Sequence, residues 1–244
     1  MGGHRRVKRT FHKGQILTLG IEDMAFGGKG VARIETEKGP FVVFVQNAFP
    51  GQTVEAQVVK CKSRHAECRL LRVTAPAAFE VDLPYQPIPG APYATVPLAK
   101  QHEWKESSAL DLYRKIGQIE NIESLYQGLV PSPLAWHYRN KMEYSFSEIR
   151  HDLETDEKVD DFGLGFKHRG TWWAVENLDA DSGLFDALVE STLHKVRAWC
   201  EATGLPAWHP PQRKGFFRFL VVRKSYADGG LLVNLVTTSD APLD

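Results

Sequence analysis

Cysteines are the side chains here with the greatest capacity for covalent chemistry, so the first question is whether one is placed as a nucleophile. Cys200 lies in VRAWCEATG, near the end of an amphipathic segment and beside Trp199. A nucleophilic cysteine needs an accessible, electropositive setting with a base nearby. The apolar surroundings favour a buried structural thiol instead, so we expect no catalytic residue in this chain.

Metal binding is also disfavoured by the spacing of possible ligands. The chain has 9 histidines, but none stands with Cys, Asp or Glu at a recognisable ligand spacing. His65 forms a weak cluster with Cys61 and Cys68 that is more typical of barrel residues, so we expect no metal site. Three cysteines do not make a disulfide framework, which indicates a reducing compartment and favours a cytoplasmic location.

A basic run between aromatic residues is the better candidate for binding chemistry. It lies in YRNKMEYSFS, where alternation predicts a strand with Tyr144 and Phe146 buried and Arg139 and Lys141 on the other face. Two interpretations of the cations stay open: pairing with a nearby carboxylate, or contact with an anionic ligand. Because exposed ion pairs contribute only about 0–1 kcal/mol, pairing gives little reason for this run.

Charge is distributed unevenly along the chain, although its net charge is zero. Residues 1–73 hold 13 Lys and Arg against 6 Asp and Glu, a net of +7, so the remainder carries −7. This asymmetry indicates a localised anion-binding surface. A basic tail at residues 1–9 is open to a simpler interpretation as a solvated end, but it does not explain the later run KCKSRHAECR.

Residues 10–73 are predicted to form a five-stranded OB-like barrel. Short apolar or alternating segments recur there between glycine and proline turns, as in a closed or partly open barrel. The predicted strands lie in QILTLGIEDM, VARIE, FVVFV, TVEAQVVKCK and AECRLLRV. Gly27, Gly28 and Gly30 are expected to supply positive φ or a close backbone approach at the first turn.

The whole chain is predicted to be a β-rich, two-domain protein. A proline-rich linker at residues 74–97 separates the barrel from an α+β domain over residues 98–244. The sheet of that domain is expected to be antiparallel. YRNKMEYSFS would pair with FGLGFKHR, and FFRFLVVRKS with GLLVNLVTTS in a closing hairpin.

Two helices are expected in this second domain. The first runs from about residue 98 to 119, with an apolar side that includes Trp104, Leu112 and Ile116. The second has Ser182 as its N-cap and buries one face. The residues of that face are Phe185, Leu188, Val189, Val196 and Trp199.

The candidate binding residues are the cations that these elements would present. In the barrel they are Lys29, Arg33, Lys62 and Arg64. In the second domain they are Arg139, Lys141, Lys167, Arg169, Arg218 and Arg223. OB-type barrels bind nucleic acid through basic faces that also carry aromatic rings. The candidate rings are Phe26, Phe41, Phe44 and Phe49, although alternate positions of FVVFV must also fill the barrel core.

The front of the chain resembles a TRAM domain, a small OB-like barrel found on RNA-modifying enzymes. The matching segments are IEDMAFGGKGVARI, VFVQNAFPGQTVEAQVV and KCKSRHAECRLLRV. Further along, YRNKMEYSFS, LGFKHRGTWW and FRFLVVRK…LLVNLVTTS resemble the central domain of RNA (uracil-5-)-methyltransferases. Those enzymes use S-adenosylmethionine to methylate C5 of specific uridines in ribosomal or transfer RNA.

Two features of those enzymes have no recognisable counterpart in this sequence. Many members hold an iron–sulfur cluster on a Cys-x5-Cys-Gly-Gly-Cys segment with a fourth cysteine farther on. PYQPIPGAPYATVPLAKQHEWK and VENLDAD contain no cysteine, so no cluster is expected. The domain that binds S-adenosylmethionine and supplies the nucleophilic cysteine and the general base is not recognisable either.

The resemblance therefore implies the RNA-binding front half of such an enzyme. This half would hold structured rRNA or tRNA for methylation by a C-terminal domain absent from the chain, and alone it is expected to be inactive. Extruding a uracil costs a few kcal/mol, which contacts made elsewhere on the RNA can offset. Two alternatives stay open: a free-standing RNA-binding or RNA-chaperone module, and a protein-interaction module that uses the acidic body.

Overall fold

The computed structural model describes residues 10–37 and 39–239, which fall into two compact units. The first unit contains the described residues up to Asp82 together with Thr95–Pro131, and the second contains Leu83–Ala94 and the described residues from Ser132 onward. The predicted basic tail at residues 1–9 lies outside the described residues. Across the described ranges, no helix is long and apolar enough to cross a membrane.

Each unit is built around one sheet. The elements of the first unit are β1 (Ile16–Gly20), β2 (Asp23–Ala25), β3 (Lys29–Thr36), β4 (Gly39–Gln46), β5 (Thr53–Cys61), β6 (His65–Ala75), α1 (Leu98–Lys115) and α2 (Ile122–Leu125). Those of the second unit are β7 (Lys141–His151), β8 (Lys158–Lys167), β9 (Val175–Asn177), α3 (Ala187–Ala202), β10 (Phe217–Lys224) and β11 (Leu231–Thr237).

The first sheet has six strands, in the order β1-β5-β6-β4-β3-β2, with β4 and β6 parallel. The prediction of five strands is wrong because the first predicted strand changes partners within two residues. The Ile21 N–H donates to the Gln52 carbonyl at 2.9 Å, whereas the Glu22 N–H donates to the Val31 carbonyl at 2.9 Å. The bend divides the segment into β1 and β2. Among the described residues no ladder joins these two end strands, so the sheet is not a closed hydrogen-bonded ring.

Buried and more exposed side chains alternate along β4 and β5, and the buried ones form the core of the first unit, as predicted for a sheet with one buried face. Val43, Val45, Val54, Ala56 and Val58 are each at most 1% exposed. They pack with apolar residues of β1, β3 and β6 in one cluster.

The glycine turn between β2 and β3 has the backbone that its sequence predicts. Gly27 and Gly28 have φ of +87° and +82°, in the region that favours glycine. Gly30 has a close approach instead, because a Cβ there would lie 2.6 Å from the Ala48 carbonyl oxygen.

Helix α1 belongs to the first unit, whereas the sequence analysis assigned it to the domain at residues 98–244. Trp104 explains the difference, because its ring lies 6.0 Å from that of Phe49 and 5.4 Å from that of Phe79. The helix ends at Lys115, before the expected residue 119. Ile116 is consequently exposed and does not extend an apolar side.

The second sheet has the order β11-β10-β7-β8-β9 and confirms the predicted pairing of β7 with β8 and the β10–β11 hairpin. It is not wholly antiparallel, because Arg150 of β7 also pairs in parallel with Val175 of β9. The β7–β8 pairing shifts between Ser147 and Ile149, where β8 carries one extra residue between the paired positions Gly163 and Asp160. Strand β11 carries large apolar side chains that stay exposed along most of its length.

The core of the second unit lies between this sheet and α3. Tyr144 and Phe146 are 0% and 2% exposed, which confirms the predicted buried side of YRNKMEYSFS. From α3, Leu193 and Cys200 join the same cluster.

The predicted N-cap and buried face of α3 are partly wrong. Asp186, not Ser182, caps the helix and accepts a hydrogen bond from the Val189 N–H at 3.1 Å. Leu188 and Trp199 are exposed, because the helix is rotated so that Glu190 points into the protein. The hydroxyl of Tyr144 and the Ser182 N–H satisfy this buried carboxylate, which an apolar-periodicity argument cannot foresee.

Candidate nucleic-acid interface

Two of the four cations predicted in the barrel are bound in ion pairs. Lys29 lies 3.1 Å from Glu67, and its hydrogen bond lowers the pKa of the Glu67 carboxyl. Arg33 lies 2.9 Å from Glu22 and 3.5 Å from Asp23, and hydrogen bonding to Glu22 is the main cause of the raised pKa of its guanidinium. Because carboxylates offset their charge, these two residues attract an anionic ligand less than the sequence suggests.

Lys62 and Arg64 are the more available cations of the first unit. They lie in the turn between β5 and β6, both are exposed, and neither forms an ion pair with another described residue. The backbone holds this turn in place: the Lys62 N–H donates to the His65 carbonyl at 2.8 Å, and the Val42 N–H donates to the Arg64 carbonyl at 3.2 Å. Arg64 also lines a cleft of about 270 Å³.

The four phenylalanines of the first unit have different environments. Phe41 and Phe49 are buried, which confirms the core interpretation for them. Phe44 is half-buried, with its ring edge-on to His65 at a centroid distance of 6.0 Å. Phe26, on the glycine turn, is exposed and is the one ring of the four available for stacking on a base.

In the second unit, cations gather where β7 begins and β10 ends. The strand register places Lys141 directly opposite Arg223. Like charges in such a cross-strand pair repel each other and are destabilising. Lys141 forms an ion pair with Glu143 at 3.3 Å, which offsets part of this positive charge. Arg139, just before β7, is exposed, with Nη1 3.7 Å from the sulfur of Met142. This end of the sheet is therefore positive overall.

A cleft of about 490 Å³ brings together two further predicted residues, Lys167 and Arg218. Its lining combines cations with indole rings, and none of the described residues that line it is acidic. The three cations are Lys167, Arg213 and Arg218, and the three tryptophans are Trp172, Trp173 and Trp208. A concave surface with this composition suits an anionic ligand that also has flat apolar faces.

Two segments that are distant in sequence meet at this cleft because both are hydrogen-bonded to neighbouring residues of β7. Ser147 Oγ donates to the Trp173 carbonyl at 2.7 Å, and the Glu148 N–H donates to the Trp208 carbonyl at 3.1 Å. Glu148 lies at the register shift between β7 and β8 and has no paired residue in β8, and its N–H binds the Trp208 carbonyl.

Arg218 is held flat against one of the rings. Its guanidinium carbon lies 4.1 Å from the centroid of Trp208 and 5.6 Å from that of Phe219. Its Nε is buried without a hydrogen-bond partner within the described chain. A planar guanidinium stacked on an indole is oriented in advance for a ligand.

Arg169 does not join this cleft, although it lies two residues after Lys167. Its Nη2 donates to the Pro89 carbonyl at 3.1 Å, so it ties its loop to the segment Leu83–Ala94.

Four residues of the cleft were not among the predicted binding residues: Trp172, Trp173, Trp208 and Arg213. The sequence did contain one signal for this cleft, because the dipeptide Trp172-Trp173 follows the basic run KHR after only two intervening residues. Trp208 had no such signal, because it is joined to the cleft through a hydrogen bond from the Glu148 N–H of β7, which is distant in sequence.

The thiols do not fit an iron–sulfur cluster. Cys61, Cys68 and Cys200 are free and buried. Burial raises the pKa of Cys200 to about 11, and burial together with Cys61 raises the pKa of Cys68 to about 11. Cluster ligands are thiolates, so this donor set is unsuited to iron. Among the described residues, no group of three or more His, Cys, Asp or Glu is placed to hold a metal ion.

Comparisons with known proteins agree with the resemblance of the front segment. Residues 11–71 match the TRAM domain. Over 233 residues the chain is 34% identical to an uncharacterized RNA methyltransferase of Nitratidesulfovibrio vulgaris, a match that covers 93% of this chain and 46% of the relative. It is 32% identical over 227 residues to one of Clostridium acetobutylicum, covering 92% of this chain and 46% of that protein.

A solved structure shares the fold. It is the tRNA (uracil-54, C5)-methyltransferase of Pyrococcus abyssi in complex with S-adenosyl-L-homocysteine. The TM-score is 0.62 at 20% identity, over 92% of this chain and 46% of that one. The chain thus spans about half the length of the relatives that it matches.

Proposed function

We propose that this chain is the RNA-binding front half of an RNA (uracil-C5-)-methyltransferase, which holds structured rRNA or tRNA for methylation by a C-terminal domain outside the chain. Its similarity to RNA methyltransferases over 93% of its own length but 46% of theirs supports this division of labour. Its free cysteines fit the reducing cytoplasm. S-adenosylmethionine would supply the methyl group in the intact enzyme.

The observation that carries the RNA assignment is the combination of cations and indole rings, with Trp172 exposed, in the cleft that also contains Lys167 and Arg218. Proteins that hold RNA combine phosphate contacts from Lys and Arg with aromatic platforms for unstacked bases. A module that used its acidic surface for a protein partner would have no need of this lining.

The candidate residues have distinct roles in this proposal. Lys62 and Arg64 on the first unit, with Arg139 and Lys141 on the second, would bind phosphates. The ion-paired Lys29 and Arg33, together with Arg223, would add to the positive field, and Arg169 would hold its loop in place. These contacts would offset the few kcal/mol that extrusion of the target uracil costs.

Charge removal tests the proposal. Binding of a fluorescent tRNA or rRNA hairpin is measured by anisotropy for the unmodified chain and for the variants K62A/R64A and R139A/K141A. We expect each double variant to bind about tenfold more weakly, with a shallower dependence of log K on log salt by about 0.7–0.9 per lost phosphate contact. A matched control, K105A/K195A, removes two exposed cations from α1 and α3 and should bind like the unmodified chain.

RNA binding that is lost equally in the control and the test variants would reflect net charge alone and contradict the assigned surface. An absence of RNA binding by the unmodified chain at low salt would contradict the function itself. Tight S-adenosylmethionine binding by this chain in calorimetry would contradict the division into two halves.

A further inference from the structure

The cleft of the second unit combines features that a phosphate-binding surface alone does not need. Trp172 is 61% exposed, so its ring is accessible to a ligand in the cleft. Arg218 lies on the ring of Trp208, and the two together present a broad flat surface. With Lys167 and Arg213 also in the lining, a planar group and an anionic group can be bound at the same time.

A paired RNA helix cannot use this arrangement. In a duplex the faces of the bases are covered by their neighbours, so an indole ring has nothing to stack on. An unpaired nucleotide exposes a base face, its hydrogen-bonding edge and a phosphate within one small unit. The cleft volume of about 490 Å³ lies within the range of about 300–1,000 Å³ that is usual for small-molecule sites.

Resting on the proposed RNA-binding function, we propose that this cleft binds one unpaired RNA nucleotide, with the base on the ring of Trp172 and the phosphate beside Lys167 and Arg213. Stacking is tolerant of base identity, so the site selects an unpaired position and not a sequence. Ser145, on the β7 side of the lining, offers a hydroxyl to the edge of the base.

The anchoring to β7 keeps the site formed before RNA arrives. Ser147 and Glu148 hold the carbonyls of Trp173 and Trp208 at 2.7 Å and 3.1 Å. Lys158 also lies 5.0 Å from the centroid of Trp173, which steadies that ring. Less conformational entropy is lost when a base binds to a preformed aromatic site. The site should therefore hold one unpaired nucleotide at a fixed position on the protein.

The test compares W172A with W199A. Both tryptophans are more than 60% exposed in the same unit, but Trp199 lies on α3, outside the cleft. Anisotropy is measured with three labelled RNAs: an unpaired oligonucleotide, the same length with abasic sites, and a blunt duplex. For the unpaired RNA we expect W172A to bind about fivefold or more weakly, and W199A to bind like the unmodified chain. Neither variant should change binding of the abasic strand or the duplex.

A second variant, K167A, checks the phosphate contact. It should reduce the slope of log K against log salt by about 0.7 on unpaired RNA, whereas W172A should leave the slope unchanged. Equal binding of W172A and W199A to unpaired RNA, while the unmodified chain still binds RNA, would overturn this inference and leave the proposed function standing. Polyglutamate that competes as well as unpaired RNA would assign the cleft to an acidic protein and overturn it too.

Discussion

At the residue scale, Glu190 of α3 is a fully buried carboxyl that is hydrogen-bonded to β7 and to the segment before the helix. Its oxygens accept hydrogen bonds from the Tyr144 hydroxyl at 3.1 Å and from the Ser182 N–H at 2.7 Å. Burial raises the pKa of Glu190 above its ordinary value of 4.5, because desolvation disfavours the charged form more than these bonds favour it.

This carboxyl predicts a specific dependence of stability on pH. The folded state holds the Glu190 proton at a higher pH than the unfolded state does, so its contribution to stability falls as the pH rises above about 4.5 through the folded pKa. The uncharged amide in E190Q can accept from the Ser182 N–H and donate to the Tyr144 hydroxyl oxygen. E190Q should therefore gain stability relative to the unmodified chain as the pH rises. The free energy of unfolding in urea at pH 5 and pH 8 measures this difference.

The exposed Glu201 at the end of the same helix is the matched position. E201Q should show the same difference from the unmodified chain at both pH values. A stability difference between E190Q and the unmodified chain that does not change with pH would contradict the buried-charge interpretation.

At the element scale, a polar clamp ties the segment Leu83–Ala94 to the end of β9. The side chain of Gln86 donates to the Asn177 carbonyl at 2.7 Å and accepts from the N–H groups of Asp179 and Ala180, both at 2.9 Å. Its own N–H donates to the Asp181 carbonyl at 2.8 Å. One glutamine therefore ties this proline-rich segment to the residues that follow β9.

We expect Q86A to destabilise the second unit by about 1 kcal/mol, because the truncation removes three hydrogen bonds, two of them to exposed N–H groups that water can bind instead. Urea unfolding followed by tryptophan fluorescence measures the loss. Q212A, at an exposed position in the same unit, is the control and should stay within about 0.5 kcal/mol of the unmodified chain. Equal stability of the two variants would show that the proline-rich segment is held by other contacts.

The elements themselves were largely predictable, whereas the site was predictable only in part. The alternation of apolar and polar residues predicted β7 with Tyr144 and Phe146 buried, because every second side chain of a half-buried strand faces the core. The face of α3 was not predictable, because Glu190 is buried through partners on other elements. The cleft was likewise hidden, because it is assembled by hydrogen bonds from Ser147 and Glu148 to the carbonyls of Trp173 and Trp208, which are distant in sequence.

At the scale of the whole molecule, both units contribute candidate RNA contacts. The first offers the turn of Lys62 and Arg64, and the second offers the basic end of β7 and the tryptophan cleft. If an RNA contacts both units, as proposed above, the linked contacts would raise the overall affinity well above that of either one. This arrangement accounts for a chain with zero net charge that would still bind a polyanion, because the charges are local.

The most direct test of this account is to map which residues touch RNA. The chain is crosslinked by ultraviolet light to a tRNA or to an rRNA hairpin with an unpaired loop, and the modified peptides are identified by mass spectrometry. We expect crosslinks in both units, at residues 62–65 and 139–141 and in the cleft at 167–173. Crosslinks confined to the exposed faces of α1 and α3, or none above a protein-only background, would contradict the central claim that these surfaces hold RNA.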